Sequence, residues 1–490
     1  TFFNSFSFPV IGYLEMSEVI DKKVRLKYGL AEKDVMASPE DSMARMSNYI
    51  SNNSDWIEFE ATVSTSPDQI AMVPGKLQRE WTEDGRRYFH YKMKSKMLHF
   101  YNVISAKYET YEDKWNDIPI TIYYHKGHDY NLERIMKGAK AGLEYCSSNF
   151  SPYQHDQLRI LEFPIVAGSF AQSFANTVPF SEGVGFIADV DDSEEGGIDY
   201  PFSITAHEVA HQWWAHQVIG ANTKGSTMMS ESLSEYVSLM VLKKTYGVEK
   251  MRTFLKDALD KYLLQRTVDR KKEQPLMRVE NQPHIHYQKG SLVFYALADY
   301  LGEDKLNNVL RAYVDSVGFQ DPPFTISDEL VGMIREVTPD SLLYLIDDMF
   351  AHITLYDNRV TDATYSKNTD GDYTVTVKTQ TTKYRTSGRG KRIFKNEVGD
   401  SLVLKVEGKN RETLSLPLAD YIDIGVFGVD DEGKETVLYI KKHKVEAIEG
   451  SYTFTVKEEP KEVGIDPYNK LIDTNSEDNR KSVTKEEISN

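Results

Sequence analysis

The chain has 490 residues, of which 40% are hydrophobic and 12% aromatic, so it can form several packed domains and is not globally disordered. Its 58 lysines and arginines against 75 aspartates and glutamates give a net charge of −17, which argues against nucleic-acid binding, because phosphate backbones are held by basic surfaces. Cys146 is the single cysteine, which excludes intramolecular disulfides, multi-cysteine zinc sites and iron–sulfur clusters.

The sequence starts at Thr1 rather than at a methionine, and neither a signal peptide nor a long apolar run follows. We therefore expect a fragment or processed product of a longer chain.

The type of predicted element changes twice along the chain. Residues 1–55 are mixed, with a helix expected over residues 38–50. From Trp56 to Tyr124, apolar and polar residues alternate in short runs, which predicts strands; after Asp129, apolar residues at helical spacing predict helices to about Leu355. Beyond Asp357, short alternating runs separated by turn residues predict six or seven strands of a small β-sandwich.

These changes predict an α+β multidomain fold. The expected parts are a partial N-terminal β domain (1–125), a mainly helical domain (126–355), a β-sandwich domain (356–475) and a polar tail (476–490).

The helical part contains the motif His207-Glu-Val-Ala-His211. Residues four apart lie on one face of a helix, so both imidazoles can bind one zinc ion. Glu208, beside the first histidine, is placed to act as the general base on a water molecule that zinc activates. The motif therefore predicts a zinc peptidase. The alternative is that the same five residues form a buried helix with two histidines that bind no metal ion.

Two patterns for a third zinc ligand compete. One pattern needs a glycine and a histidine at positions 214 and 217. These positions hold Trp214 and Gln217, so this pattern is excluded. His216 would lie on the wrong face of a continuing helix, and we expect it to be a polar residue at the helix end. The other pattern needs a glutamate on a following helix, for which Glu231 and Glu235 are the candidates; we expect Glu235 to be an ordinary solvated glutamate.

With this second pattern the sequence resembles the aminopeptidase N family of zinc metallopeptidases (gluzincins), which includes leukotriene hydrolase. The segment from Glu231 to Tyr236 aligns with the family's Asn-Glu-Gly-Phe-Ala-x-Tyr block, which makes Glu231 the third ligand. The nineteen residues between His211 and Glu231 are one more than in the family. The resemblance implies a thermolysin-like catalytic domain between a shortened β-saddle and the β-sandwich.

Two further stretches carry the resemblance. The family's Gly-x-Met-Glu-Asn segment, whose glutamate binds the free α-amine of the substrate, aligns with residues 179–183 and implies that role for Glu182; Ser181 and Gly183 replace the family's Met and Asn. The family's Tyr-x-Lys-Gly block aligns with residues 287–290 and implies that the hydroxyl of Tyr287 binds the oxyanion of the intermediate.

The resemblance implies removal of N-terminal residues from peptides, with zinc as cofactor and peptides as substrates. Two alternatives remain open: a non-catalytic or weakly active zinc-bearing domain that binds peptides for a membrane transporter, and an endopeptidase with an open cleft. A related bacterial group joins membrane permease segments to such a domain. We therefore expect a soluble, extracytoplasmic fragment of a membrane-associated bacterial protein; the oligomeric state is not predicted.

One other pair of potential ligands was assessed. His125 and His128 are three apart after a predicted strand, with no third ligand nearby in the sequence, and we expect them to be surface histidines.

Overall fold

The computed structural model describes residues 2–3, 18–33, 35–51, 54–191, 197–405 and 412–486. The chain divides into two compact units, one comprising Thr1–Val248 and Leu276–Leu343, the other Glu249–Pro275 and Tyr344–Asn490. The division into three domains and a tail stays a prediction. None of the helices in the described ranges combines the length and the apolar character needed to cross a membrane.

The first unit contains twelve strands in the described residues: β1 Phe2–Phe3, β2 Trp56–Ile57, β3 Glu60–Thr65, β4 Ile70–Met72, β5 Lys76–Glu83, β6 Arg86–Lys92, β7 Met97–Leu98, β8 Asn102–Ala106, β9 Glu109–Trp115, β10 Ile118–Tyr124, β11 Leu158–Phe163 and β12 Thr177–Ser181. The first eight form small antiparallel sheets, in the orders β1-β8-β4, β2-β7 and β3-β6-β5. The last four form a sheet in the order β12-β11-β10-β9, in which β10, β11 and β12 are parallel.

The α-helices, in chain order, are α1 Lys22–Lys27, α2 Leu132–Asn149, α3 Tyr200–Ala210, α4 Leu233–Tyr246, α5 Met251–Val268, α6 Gly290–Leu301, α7 Glu303–Val317, α8 Ser327–Val337 and α9 Leu343–Ile346. Short 3₁₀ turns lie at Ala44–Met46, Ile165–Ala167, Leu276–Arg278, Asp340–Leu342 and Ser476–Asp478. Three π-helical turns lie at Met228–Ser232, His284–Lys289 and Asp347–Ala351.

The helical core of the first unit is buried around α3, α4 and α6. Most residues of these helices are buried, as expected for helices that are apolar on nearly every face. By contrast, α7 and α8 each bury one apolar side, which is the amphipathic pattern of helices at a surface.

The second unit is built mainly from eleven strands in the described residues: β13 Thr354–Lys367, β14 Tyr373–Thr386, β15 Arg392–Ile393, β16 Leu402–Lys405, β17 Glu412–Ser415, β18 Asp420–Val429, β19 Glu435–Val445, β20 Glu449–Val456, β21 Glu462–Ile465, β22 Arg480–Ser482 and β23 Thr484–Lys485. One sheet has the order β15-β14-β13-β23, with β20 also pairing with β14; another has the order β19-β18-β21-β22, and β16 pairs with β17.

The architecture is the α+β multidomain fold predicted from the sequence, with β-rich ends and a helical middle. The helix expected over residues 38–50 is wrong: this segment contains only the 3₁₀ turn at Ala44–Met46. The side chain of Asp41 accepts hydrogen bonds from the N–H groups of Met43 and Ala44, and Asn48 forms a bridge with Ala221. Local capping and tertiary pairing therefore replace the regular helix.

Candidate metal centre

The helix that carries the motif, α3, has a well-defined start. Asp199 is its N-cap, and the Asp199 carboxylate accepts a hydrogen bond from the N–H of Phe202. Pro201 lies in the first turn, where its missing N–H costs nothing. The second oxygen of Asp199 binds Arg134 and Tyr246, at 2.6 Å and 2.8 Å, which ties the start of α3 to α2 and α4.

Helix α3 packs closely on α2 because α2 has two glycines on the facing side. A Cβ atom on Gly138 would lie 2.5 Å from the carbonyl oxygen of Phe202, and one on Gly142 would lie 3.1 Å from the side chain of Val209. Only residues without a Cβ permit this approach, which fixes the position of α3 relative to its neighbour.

Three predicted ligands, His207, His211 and Glu231, come together at the end of α3. The Nε2 atoms of the two histidines are 3.0 Å apart. Oε2 of Glu231 lies 3.4 Å from Nε2 of His207 and 3.2 Å from Nε2 of His211. Ligand atoms placed tetrahedrally at 2.0–2.1 Å from zinc are about 3.3–3.4 Å apart, so these three atoms are spaced like one face of such a site.

The other ring nitrogen of each histidine also has a partner. Nδ1 of His207 lies 3.1 Å from Oε1 of Glu235. Nδ1 of His211 lies 2.9 Å from the carbonyl oxygen of Trp214 and 3.0 Å from Oγ of Ser234. The Trp214 carbonyl favours the proton on Nδ1 of His211, and the nearby carboxylate of Glu235 favours it on Nδ1 of His207, so that both Nε2 atoms are left for a metal ion, as is usual for metal-binding histidines.

Glu231 and Tyr287 both lie on π-helical turns, Met228–Ser232 and His284–Lys289. The ring centroid of Tyr287 is 5.9 Å from that of His207, and the charge of Glu231 acts on the Tyr287 hydroxyl. The two turns are in contact, since Oγ of Ser232 donates a hydrogen bond to the carbonyl oxygen of His286 at 2.6 Å. π-Helical turns are rare and are frequent at functional sites.

Three carboxylates surround the two imidazoles. Burial raises the pKa of Glu208, against the lowering effect of His211 and His207. Burial would also raise the pKa of Glu231, but the neighbouring His211 and His207 hold it well below its usual range. Burial and the charges of Glu231, Glu208 and Glu235 raise the pKa of Tyr287, so this hydroxyl stays neutral and able to donate a hydrogen bond. The site therefore concentrates negative charge and suits a cation.

The residues fit zinc. Two imidazoles and one carboxylate are the ligand set of open, catalytic zinc sites. Glu208, next to the first histidine, is buried, and its Oε2 atom accepts no hydrogen bond from the described residues. A buried carboxylate oxygen without a protein donor is costly unless a polar ligand or water binds it. Zinc is thus the cofactor that this site fits, with Glu208 free to act beside it.

Glu182 lies in a different group of side chains. Its Oε1 atom accepts a hydrogen bond from the N–H of Ile165 at 2.8 Å, and its Oε2 atom is 3.7 Å from Nδ1 of His128. Among the described residues, the carboxylate of Glu182 forms no hydrogen bond or ion pair with the three predicted zinc ligands. Its role as the amine-binding residue stays a prediction.

Two expectations for neighbouring residues are wrong. Helix α3 ends at Ala210, so no continuing helix carries His216; this histidine is buried, and its Nε2 atom contacts the carbonyl oxygen of Ser173 at 3.1 Å. Glu235 is not a freely solvated glutamate, since it contacts His207. Its position four residues after Glu231, one helical turn further, was the signal that could have suggested this contact.

His125 and His128, expected to be surface histidines, are partly exposed but share a buried partner that the sequence did not indicate. Glu162, which is distant from both in sequence, contacts their Nδ1 atoms in the folded chain. Tyr49 was missed as well: its hydroxyl lies 2.5 Å from Oγ of Ser230, next to Glu231, and no local pattern links residues so far apart in sequence.

Comparisons with known proteins agree with this site. Residues 144–346, which include α3, α4 and both π-helical turns of the site, match the Peptidase family M1 domain. Endoplasmic reticulum aminopeptidase 2 of Homo sapiens is 23% identical over 127 residues, which are 24% of this chain and 13% of that protein.

The fold is similar to that of a solved structure. An aminopeptidase A of Legionella pneumophila, in complex with aspartic acid, has 13% identity and a TM-score of 0.54, over 90% of this chain and 49% of that one. An M1 zinc metallopeptidase of Deinococcus radiodurans has 16% identity and a TM-score of 0.47, over 61% of this chain and 65% of that one. The chain thus spans about half of the Legionella protein and a smaller part of the human one. Across residues 144–346, the chain is similar to the Peptidase family M1 domain.

Proposed function

We propose that this protein is a zinc-dependent peptidase that removes N-terminal residues from peptides. The observation that carries the proposal is the spacing of 3.0–3.4 Å among Nε2 of His207, Nε2 of His211 and Oε2 of Glu231, with Glu208 and Tyr287 beside them. The match to the M1 peptidase domain supports it.

His207, His211 and Glu231 hold the zinc ion in this proposal. When bound, zinc lowers the pKa of a water molecule and polarises the scissile carbonyl. Glu235 and the Trp214 carbonyl hold the two imidazoles in the orientation that presents Nε2.

Glu208 and Tyr287 perform the proton transfer and the oxyanion binding. Glu208 accepts a proton from the attacking water, and burial suits it to this role because burial raises its pKa toward the working pH. It then delivers the proton to the leaving amine. The neutral hydroxyl of Tyr287 donates a hydrogen bond to the oxyanion of the tetrahedral intermediate.

Glu182 binds the free α-ammonium of the substrate in this proposal. A carboxylate that pairs with the ammonium group holds the substrate by its N-terminus, so that the first peptide bond lies at the zinc site and terminal residues are removed. The substrate would share this carboxylate with Ile165 N–H and with His128, which already contact it.

These contacts of Glu182 favour a second candidate function. If its carboxylate stays engaged with Ile165 and His128, no charge selects the free amine, and the same zinc chemistry gives an endopeptidase. The non-catalytic peptide-binding alternative is disfavoured, because a binder needs neither Glu208 nor Tyr287. That the parent chain has membrane-embedded segments stays a prediction, which these residues do not test.

A pair of matched peptides tests the proposal. One has a free N-terminus and the other is the same peptide acetylated at its α-amine. We expect the free peptide to be cleaved at least about tenfold faster, since tenfold needs only about 1.4 kcal/mol of pairing with Glu182. Glu182→Ala should remove most of this difference and keep the zinc. Equal rates with the wild-type chain would replace the aminopeptidase by the endopeptidase.

A further inference from the structure

A second group of imidazoles and carboxylates lies where three parallel strands end. His125 follows directly after β10, and His128 is three residues further on. Glu162 is the next-to-last residue of β11, and Glu182 follows directly after β12. Because β10, β11 and β12 are parallel neighbours, their carboxyl ends meet at one edge of the sheet, which is where such sheets place ligands.

The potential ligand atoms of this group point toward one another. Nδ1 of His125 lies 3.2 Å from Oε2 of Glu162, and Nδ1 of His128 contacts Oε1 of the same carboxylate. Oε2 of Glu182 is 3.7 Å from Nδ1 of His128. The ligand atoms of His125, His128 and Glu162 all lie within 4.8 Å of one another. The His125–Glu162 separation is close to the roughly 3.3–3.4 Å between ligands of a tetrahedral zinc ion, and small side-chain rotations can adjust the other two imidazole–carboxylate distances to it.

Burial and access both suit a bound cation. The side chain of Glu162 is fully buried, with 0% exposure, whereas those of His125 and His128 are 31% and 30% exposed, so an ion can reach them from solvent. Oε2 of Glu162 accepts a hydrogen bond from the backbone N–H of His125 at 2.6 Å. A neutral N–H group does not neutralise the charge of a buried carboxylate, which therefore needs a cation beside it.

A histidine–glutamate pair elsewhere in the same unit shows how an ordinary ion pair differs from this group of four side chains. Nε2 of His90 lies 2.8 Å from Oε1 of Glu60, and the same carboxylate also pairs with Lys92 at 2.9 Å. There, one imidazole and a lysine meet one exposed carboxylate. At the strand ends, by contrast, two imidazoles and two carboxylates converge. The His90 pair therefore serves as a matched control.

We propose that Nδ1 of His125, Nδ1 of His128 and the carboxylate of Glu162 bind a second divalent metal ion of the zinc class. Imidazole and carboxylate together favour zinc and the neighbouring first-row ions over magnesium or calcium. The ion would join the ends of β10 and β11. The proposal does not depend on the peptidase activity.

Metal stoichiometry of the full chain tests this proposal. The metal-free protein is titrated with Zn²⁺ against a chromogenic chelator, and bound zinc is measured after dialysis. We expect two ions per chain. The double variant His125→Ala/His128→Ala should keep one ion, and His207→Ala/His211→Ala should keep the other. Glu162→Gln preserves the shape of the buried side chain, and it should lower the affinity for the second ion at least about tenfold.

Controls separate this result from a folding defect and from the proposed function. His90→Ala should retain both ions, and circular dichroism should show that each variant is folded. One ion per chain in the wild type, lost only with His207 and His211, would overturn the second site and leave a protonated His128 paired with Glu162. Two ions that persist in His125→Ala/His128→Ala and in Glu162→Gln would overturn it as well.

Discussion

Gly290 permits the close contact between the two π-helical turns that carry Glu231 and Tyr287. A Cβ atom on Gly290 would lie 2.5 Å from Cβ of Ser232 and closer still to its Oγ. Ordinary contacts of this kind are about 3.5–4.0 Å. Rotation of the Ser232 side chain cannot relieve the clash, because Cβ is fixed to the backbone. Gly290→Ala must therefore push the turn Met228–Ser232 away from α6.

The expected cost follows from this overlap. Extra atoms in a packed region cost roughly 1–3 kcal/mol. For large domains, about 2–4 °C in melting temperature corresponds to each kcal/mol, so we expect Gly290→Ala to lower the melting temperature by roughly 2–12 °C. Since Glu231 is next to Ser232, the zinc affinity should fall as well.

Thermal unfolding and zinc competition measure the two effects. Gly332→Ala is the control: Gly332 lies inside α8, and nothing is within 4 Å of an added Cβ. Alanine favours helix by about 1 kcal/mol over glycine, so Gly332→Ala should raise the melting temperature. Ser232→Gly should partly rescue Gly290→Ala, because it removes the clashing atoms. An unchanged melting temperature and unchanged zinc affinity in Gly290→Ala would refute this account of the contact.

Three other predictions concern single side chains. Tyr287→Phe should lower kcat by roughly 10²–10³ with little change in KM, in steady-state peptide hydrolysis, because one oxyanion donor is lost. Glu235→Ala should weaken zinc binding by roughly 10- to 100-fold in chelator competition, because it frees Nδ1 of His207; wild-type affinity would show that this contact does not orient the ring. Burial lowers the pKa of His155 to about 3 and that of His216 to about 4. Below pH 6.5 each of these histidines binds a proton in the unfolded chain but not in the folded one, so each contributes a fall of roughly 1 kcal/mol per pH unit to the free energy of unfolding. Urea unfolding of the wild type and of His155→Phe at pH 7 and pH 5 measures the contribution of His155: the wild type should lose roughly 2 kcal/mol more than the variant over this range, and equal losses would contradict it.

The sequence predicted the parts of the site that depend on local spacing. His207 and His211 lie one helical turn apart, so the helix alone places their imidazoles together. Glu231 was one of two candidates from the residues, and the family resemblance favoured it. The structure places it against both histidines.

The rest depends on contacts that sequence periodicity does not encode. The π-helical turns under Glu231 and Tyr287 arise from packing against each other rather than from a local pattern. Glu162 meets His125 and His128 only because β10 and β11 are neighbouring parallel strands. Glu182 follows directly after β12, at the same edge of the sheet, where it contacts His128. Its alignment with the family's amine-binding residue does not by itself place it beside the zinc ligands.

Hydrolysis by Glu208→Gln tests the central claim most directly. The amide is nearly the same size as the carboxylate but cannot accept a proton from water. We expect this variant to keep the zinc held by His207, His211 and Glu231, measured after dialysis, and to lose roughly 10²–10⁴ in kcat on a free peptide that the wild type cleaves. Cleavage by Glu208→Gln at the wild-type rate, or no cleavage by the zinc-loaded wild type on a broad peptide panel, would contradict the assignment of this site as a zinc peptidase.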